Sequence, residues 1–293
     1  MKHAIYLLPI MLSCSLFGLE LSRTDELIRF GDGNLSVAFN SQDGSPQGVW
    51  IGGRQAIRAV EEGDKLWLNL SGGDRQWFGR SRHSWVLEDC RKTSDNAIAH
   101  QVRCDDWRVV VHTELFPSKR ELRRWLDVSW VGDKPSKIYG FSFAWGIIPF
   151  GSEDIAMLPG NLVRPELIRG SELSPNRRRS SWNYQLAIIQ SGSLSACFMA
   201  DELAEYFDRG EINLVEQEQA IRVSQSTGIM GHMKPGVAHR FGDYRLRFME
   251  TNAEIALTRL HDWRLELGHV PPKDRPDWVQ KAILYSFHPK GSI

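Results

Sequence analysis

Trp107-Arg108-Val109-Val110-Val111-His112-Thr113-Glu114 is the stretch whose reading decides the fold. Trp107, Val109, Val111 and Thr113 fall on one side of the chain; Arg108, Val110, His112 and Glu114 fall on the other. Successive side chains of a strand point to opposite faces, so this two-residue period describes a strand with one face on a core and one toward water. The same period extends in both directions. Leu126, Val128 and Trp130 alternate with polar neighbours, as do residues 137–144, 184–190, 193–200 and 220–223, and Leu35, Val37 and Phe39 begin the series. Between these runs lie turn formers. Ser41-Gln42-Asp43-Gly44-Ser45-Pro46 reverses the chain, and Gly52-Gly53 between residues 47–51 and 54–57 is a two-residue hairpin signal. Many strands joined by turns, with no helix between them, predict a mostly β protein: an antiparallel sandwich, not a parallel sheet.

The one helix that the pattern supports comes late. Ala253, Ala256, Leu257, Leu260, Trp263 and Leu267 form one stripe. Thr251 with Glu254 makes a capping-box pair, Asn252 is an alternative cap, and Gly268 stands where a terminating glycine belongs. This helix is expected to connect the sandwich to whatever follows. Residues 149–182 interrupt the strand pattern with Pro, Gly, Asn and Arg, and a connection that long is a place to seek a binding surface. Within it, Arg177-Arg178-Arg179 reads as a solvated loop.

The 293 residues carry 36 basic and 36 acidic side chains, so the formal net charge is zero. A nucleic-acid binder needs a basic face to displace counterions, and none is expected here. At the N-terminus Lys2 and His3 precede an apolar run, residues 4–12, then the small Ser13, Cys14 and Ser15. A basic start, a short apolar stretch and small residues describe a secretory signal peptide, residues 1–18, with secreted or periplasmic destination. Acylation at Cys14 is an alternative. The run falls short of the about 20 apolar residues of a membrane span, so no span is expected. Cys90 and Cys104 end neighbouring strand-like stretches, and an oxidising compartment permits a bridge between them; two unbridged buried thiols are the alternative. Cys197 reads as a small core residue. No Cys/His group has metal-ligand spacing, and no metal or cofactor is expected.

The chain ends on a new apolar run. After Val270-Pro271-Pro272 and Pro276 come Trp278, Ala282-Ile283-Leu284-Tyr285 and His288-Pro289-Lys290-Gly291. This segment resembles the opening strand of the (β/α)8 catalytic barrel of α-amylase-like and α-galactosidase-like glycoside hydrolases. The body, from Gly33-Asn34-Leu35-Ser36-Val37-Ala38-Phe39 onward, looks like the galactose-mutarotase-like β-sandwich that precedes such barrels. The resemblance implies a supersandwich-like domain at 19–249, a connecting helix and linker at 250–276, and a truncated barrel start at 277–293. Tyr285 and His288 would then stand at the barrel rim, where substrate is met.

On that reading the catalytic pair lies elsewhere. Glycoside hydrolysis uses two carboxyl groups about 5 to 10 Å apart. The candidates here, Glu61-Glu62, Asp105-Asp106 and Asp201-Glu202, are adjacent pairs beside turns and read as solvated carboxylates. A mutarotase-like enzyme would need a histidine acid and a glutamate base, for which His100, His112 and Glu114 are the available set. The eleven tryptophans raise direct glycan binding, since flat rings take the C–H faces of sugars. Trp182 and Tyr184, and Trp77-Phe78, are the expected exposed members; Trp107, Trp125 and Trp130 read as core. The expectation is therefore an exported, non-catalytic N-terminal domain of a glycoside hydrolase. Its partners would be an oligo- or polysaccharide and the downstream barrel of the same polypeptide. A self-contained sugar-binding protein is the alternative, and a sugar epimerase the next.

Overall fold

The computed structural model describes residues 18–60, 66–70, 85–158, 166–181, 186–200 and 210–268. The first strands are β1 (Glu20–Arg23), β2 (Leu27–Gly31), β3 (Leu35–Asn40), β4 (Pro46–Ile51), β5 (Arg54–Arg58) and β6 (Leu66–Leu70). Next come β7 (Val86–Ser94), β8 (Ala97–Cys104), β9 (Trp107–Phe116), β10 (Glu121–Trp130), β11 (Ser136–Pro149), β12 (Ile155–Leu158) and β13 (Glu166–Arg169). The last are β14 (Arg178–Ser181), β15 (Leu186–Ser191), β16 (Leu194–Ala200), β17 (Gly210–Gln217), β18 (Ala220–Met233) and β19 (Ala238–Glu250), before helix α1 (Ala253–Glu266). They form two sheets. The first runs β1-β2-β3-β4-β5-β11-β18-β17-β14, with β6 also paired to β11; the second runs β13-β12-β15-β16-β19-β10-β9-β8-β7. Every strand-to-strand ladder is antiparallel, as the alternation predicts.

Burial along β9 alternates without a break from Trp107 to Phe116, so the face assigned from sequence is the face observed. The inward residues of both sheets merge into one core that includes Phe39, Ile57, Val109, Leu122, Leu126 and Leu246. Aromatic contacts cross it: Phe143 of β11 meets Tyr244 of β19 at 4.9 Å, and Trp145 meets Phe198 of β16 at 5.8 Å. Each such side chain contributes about 1.5–3 kcal/mol by leaving water, which makes slippage by one residue costly. Gly52 and Gly53 both take positive φ (55° and 79°), the backbone that a two-residue hairpin demands. At Gly146 the β11–β18 register shifts, and a Cβ there would stand 2.3 Å from the Arg58 carbonyl oxygen. The missing side chain lets β5 approach β11.

The middle segment is more ordered than its composition suggests. Its described parts are three short strands: β12 and β13 at one edge of the second sheet, β14 at one edge of the first. Four-residue strands set among Pro- and Gly-rich connections cannot display a period, which is why the sequence reads as loop. Arg179 corrects the solvated-loop reading of the arginine cluster. Its side chain is 11% exposed and pairs with Glu216 of β17 at 2.6 Å and with Glu166 of β13, tying the two sheets together. Arg177 and Arg178 are exposed.

Asn252, not the Thr251/Glu254 box, caps α1, its side chain accepting from the Ile255 N–H at 2.9 Å. Ala253, Ala256, Leu260 and Trp263 pack on Leu186, Ile188, Cys197, Met199 and Met249. The helix therefore covers half of the outer face of the second sheet. Among the described residues no helix is long and apolar enough to cross a membrane. Cys90, Cys104 and Cys197 are free thiols. The register explains the first two: Cys90 pairs with His100 and Cys104 with Trp107, which leaves them four positions, about 13 Å, apart along the β7–β8 ladder. A disulfide needs Cα atoms within about 7 Å, so of the two alternatives for Cys90 and Cys104 the bridge is not made and the thiols stay unbridged.

Candidate functional site

The other half of that outer face is polar. Alternation sends Glu121, Arg123, Trp125 and Asp127 of β10 outward, with His112 and Glu114 of β9 on one side and Arg240, Asp243, Arg245 and Arg247 of β19 on the other. The register sets Trp125 opposite His112, Arg123 opposite Glu114 and Asp127 opposite Arg240. The His112 ring stacks on the Trp125 indole, centroids 4.8 Å apart and planes within 4°, and its Nε2 donates to Asp127 Oδ2 at 2.8 Å. Facing a carboxylate oxygen, Nε2 is the ring nitrogen that carries a proton in this bond. The Arg240 and Arg123 guanidinium carbons lie 4.7 and 5.0 Å from the centre of the same indole. The indole thus stands upright between an imidazole and two cations.

A network of charges fixes these groups. Arg123 donates to Asp243 Oδ1 at 2.6 Å and lies 3.6 Å from Glu114, which also accepts from Asn96 at 3.1 Å. Glu121, 2% exposed, accepts from Arg245 at 2.8 Å and from Arg247 at 2.6 Å. Burial works against the Arg247 charge, but hydrogen bonds to Glu266 and Glu121 outweigh it and hold the pKa above the ordinary arginine value. The Arg247 hydrogen bond in turn holds Glu266 below the usual glutamate value. Next to this locked half, the His112 and Asp127 side chains stay 19% and 35% exposed. Arg240 is exposed. Its contact with the ring contributes only about 0.5–1 kcal/mol at such a site. A partner with a flat apolar face can displace it, and the freed guanidinium, Asp127 and Asp243 then offer donors and acceptors around the ring.

The residues that an anomeric acid–base pair would need do not converge. His112 and Glu114 share the outer face. His100 pairs with Val111 of β9 and points between the sheets, 2% exposed. Burial first, then the nearby Arg124 cation, lowers its pKa to about 3, so its ring is neutral. Of the carboxylate pairs read from sequence, Asp105-Asp106 is exposed in the turn between β8 and β9, and the other two lie outside the described residues. So do Trp182, Tyr184, Tyr285, His288 and Trp77-Phe78. Trp107 is buried as expected, in tilted contact with Trp130 at 4.9 Å. Trp125 is not core: it faces outward and is half-buried. The period that places Leu126 and Val128 inward already sends Trp125 outward, and that signal outranks its hydrophobicity. Among the described residues no group of three or more His, Cys, Asp or Glu side chains is placed to hold a metal ion.

No protein-family model matches the sequence, and no curated protein does. Solved structures do match in fold. A galactose mutarotase-like protein from Clostridium acetobutylicum superposes with a TM-score of 0.54 at 10% identity, over 80% of this chain and 98% of that one. A galactose mutarotase related enzyme from Lactobacillus acidophilus gives 0.51 at 9% identity, over 80% and 98%. A GH36 α-galactosidase from Geobacillus stearothermophilus gives 0.52 at 11% identity, over 80% of this chain and 41% of the enzyme. Two antiparallel sheets in a sandwich, with one short helix among the described residues, match the galactose mutarotase-like fold.

Proposed function

We propose that this chain is a carbohydrate-contacting sandwich domain that serves as the non-catalytic N-terminal region of an exported glycoside hydrolase. The observation that carries the reading is the separation of His100 from His112 and Glu114 by the sheet itself, while the outer face presents a half-buried tryptophan ringed by charged donors and acceptors. Sugar rings are bound by that combination, an apolar face on an aromatic and hydroxyls on planar charged groups. A domain of this fold makes up about two fifths of the α-galactosidase it resembles, which supports a role beside a catalytic barrel. Residues 277–293 are assigned to the start of that barrel, with Tyr285 and His288 at its rim, and residues 1–18 to export.

A mutarotase-like enzyme is the second reading, favoured by the His112–Asp127 pair on an open face. Polarimetry separates the two. The full chain is expected to leave the mutarotation of α-D-galactose at its buffer rate and to release nothing from aryl glycosides. It is expected to bind methyl α-D-galactoside, read as a change in tryptophan fluorescence that Trp125→Leu removes. Mutarotation above the buffer rate that His112→Asn abolishes would replace the accessory reading with the enzymatic one.

A further inference from the structure

Between the sheets, on the face opposite the outer site, lies a cavity of about 40 Å³. It is bounded by Gly44 and Ser45 of the β3–β4 turn, by Trp85, His100 and Phe143, and by Arg124. Alternation along β10 forces Arg124 inward with Leu122 and Leu126, and it is 2% exposed. Buried guanidinium groups are normally paired with a carboxylate. Here, among the described residues, the guanidinium makes no hydrogen bond and no ion pair, and its buried Nε has no partner. Its neighbours are the faces of Trp145, Phe39 and Phe143, at 4.6, 5.4 and 6.0 Å. Those rings stabilise a cation but carry no formal charge to neutralise it. Burial lowers the Arg124 pKa to about 9, with no carboxylate contributing, so the group keeps its proton at neutral pH. His100 lines the same cavity as a neutral ring hydrogen-bonded to the Gly44 backbone.

We propose that this cavity is a binding site for a small monovalent anion of about chloride size, held by Arg124. The space is several times what one water needs, so it admits a hydrated halide but no sugar. An anion there would supply the missing countercharge of Arg124. Asp43 also lines the cavity from the turn, where its Oδ1 accepts from the Ser45 N–H at 2.9 Å; a carboxylate opposes an anion close to it, so the site is the Arg124 end of the cavity. The site is independent of sugar recognition on the outer face, because the sheet stands between them.

The test compares the full chain in sodium chloride and in sodium gluconate at matched ionic strength. Chloride is expected to raise the unfolding midpoint saturably, by about 5 °C or more once it exceeds its Kd roughly 100-fold. Arg124→Met is expected to give identical curves in the two salts. Equal midpoints for the unaltered chain in both salts, or a chloride effect that persists in Arg124→Met, would overturn the proposal. Should that variant fail to fold, crystals of the unaltered chain grown with sodium bromide decide the matter. An anomalous peak within hydrogen-bonding distance of Arg124 supports the site, and its absence there overturns it.

Discussion

Replacing Glu216 by alanine tests the claim that a buried carboxylate anchors Arg179, the side chain that reaches from the first sheet to Glu166 of the second. The Glu216 side chain is fully buried and accepts from Arg179 Nε at 2.6 Å and from the Ser174 N–H at 2.7 Å; Arg179 also pairs with Glu166. Glu216→Ala leaves a nearly buried guanidinium with only its partly exposed partner, and a backbone N–H with none. Removing one member of a buried pair costs about 3–5 kcal/mol, and the surviving Glu166 contact puts this case near the lower end, about 3 kcal/mol. For a chain of this size that is a fall of roughly 6–12 °C in Tm. The double variant Arg179→Met, Glu216→Met removes both charges, strands only the Ser174 N–H, and should cost about 1–2 kcal/mol. Urea unfolding of the unaltered chain, of Arg179→Met and Glu216→Met singly, and of the double variant closes the cycle. A single-variant cost below about 1 kcal/mol, or a double-variant cost equal to the sum of the singles, would refute the bridge.

Other consequences follow from buried groups and close approaches. The His100 pKa falls from 6.5 to about 3 on folding, so the unfolded chain takes up this proton first. Its contribution is complete above pH 6.5 and is lost as pH falls toward 3, at about 1.4 kcal/mol per pH unit; urea midpoints between pH 7 and 4 should flatten in His100→Phe, and an unchanged acid slope would contradict the assignment. Burial pushes the Cys197 thiol up to about 12. In native chain at pH 8, DTNB followed by peptide mapping should leave Cys197 unlabelled until denaturant is added, and rapid native labelling would place it at the surface. At Gly170 a Cβ would lie 1.6 Å from the Gly151 carbonyl oxygen, so Gly170→Ala should cost about 3 kcal/mol or more in urea unfolding, and a near-neutral result would mean that this turn yields.

Much of the sandwich is legible in the sequence because its strands are half-buried and long. The ten residues of β9 repeat the period five times, and Gly52-Gly53 names its hairpin. Strands β12 to β14 are not legible: four residues show at most two inward positions, and their pairing depends on partners far along the chain. Arg179 shows why local reading fails there, since its partner Glu216 is 37 residues away. The site divides in the same way. That Trp125 faces outward and Arg124 inward follows from the alternation through Leu122, Leu126 and Val128. That His112 stacks on Trp125, and that Asp243, 120 residues beyond Arg123, holds the cation beside it, follows only from strand order β19-β10-β9. Spacing left Cys90 and Cys104 open between a bridge and two free thiols, because spacing alone does not supply register.

The central claim is that the outer face of the second sheet contacts sugar through Trp125 without acting on it. Saturation-transfer-difference NMR with methyl α-D-galactoside tests it most directly, comparing the unaltered chain with Trp125→Leu. The account predicts transfer to the ring protons of the sugar with the unaltered chain and a loss of most of that signal in the variant. No transfer to the unaltered chain, or equal transfer to both, would contradict it.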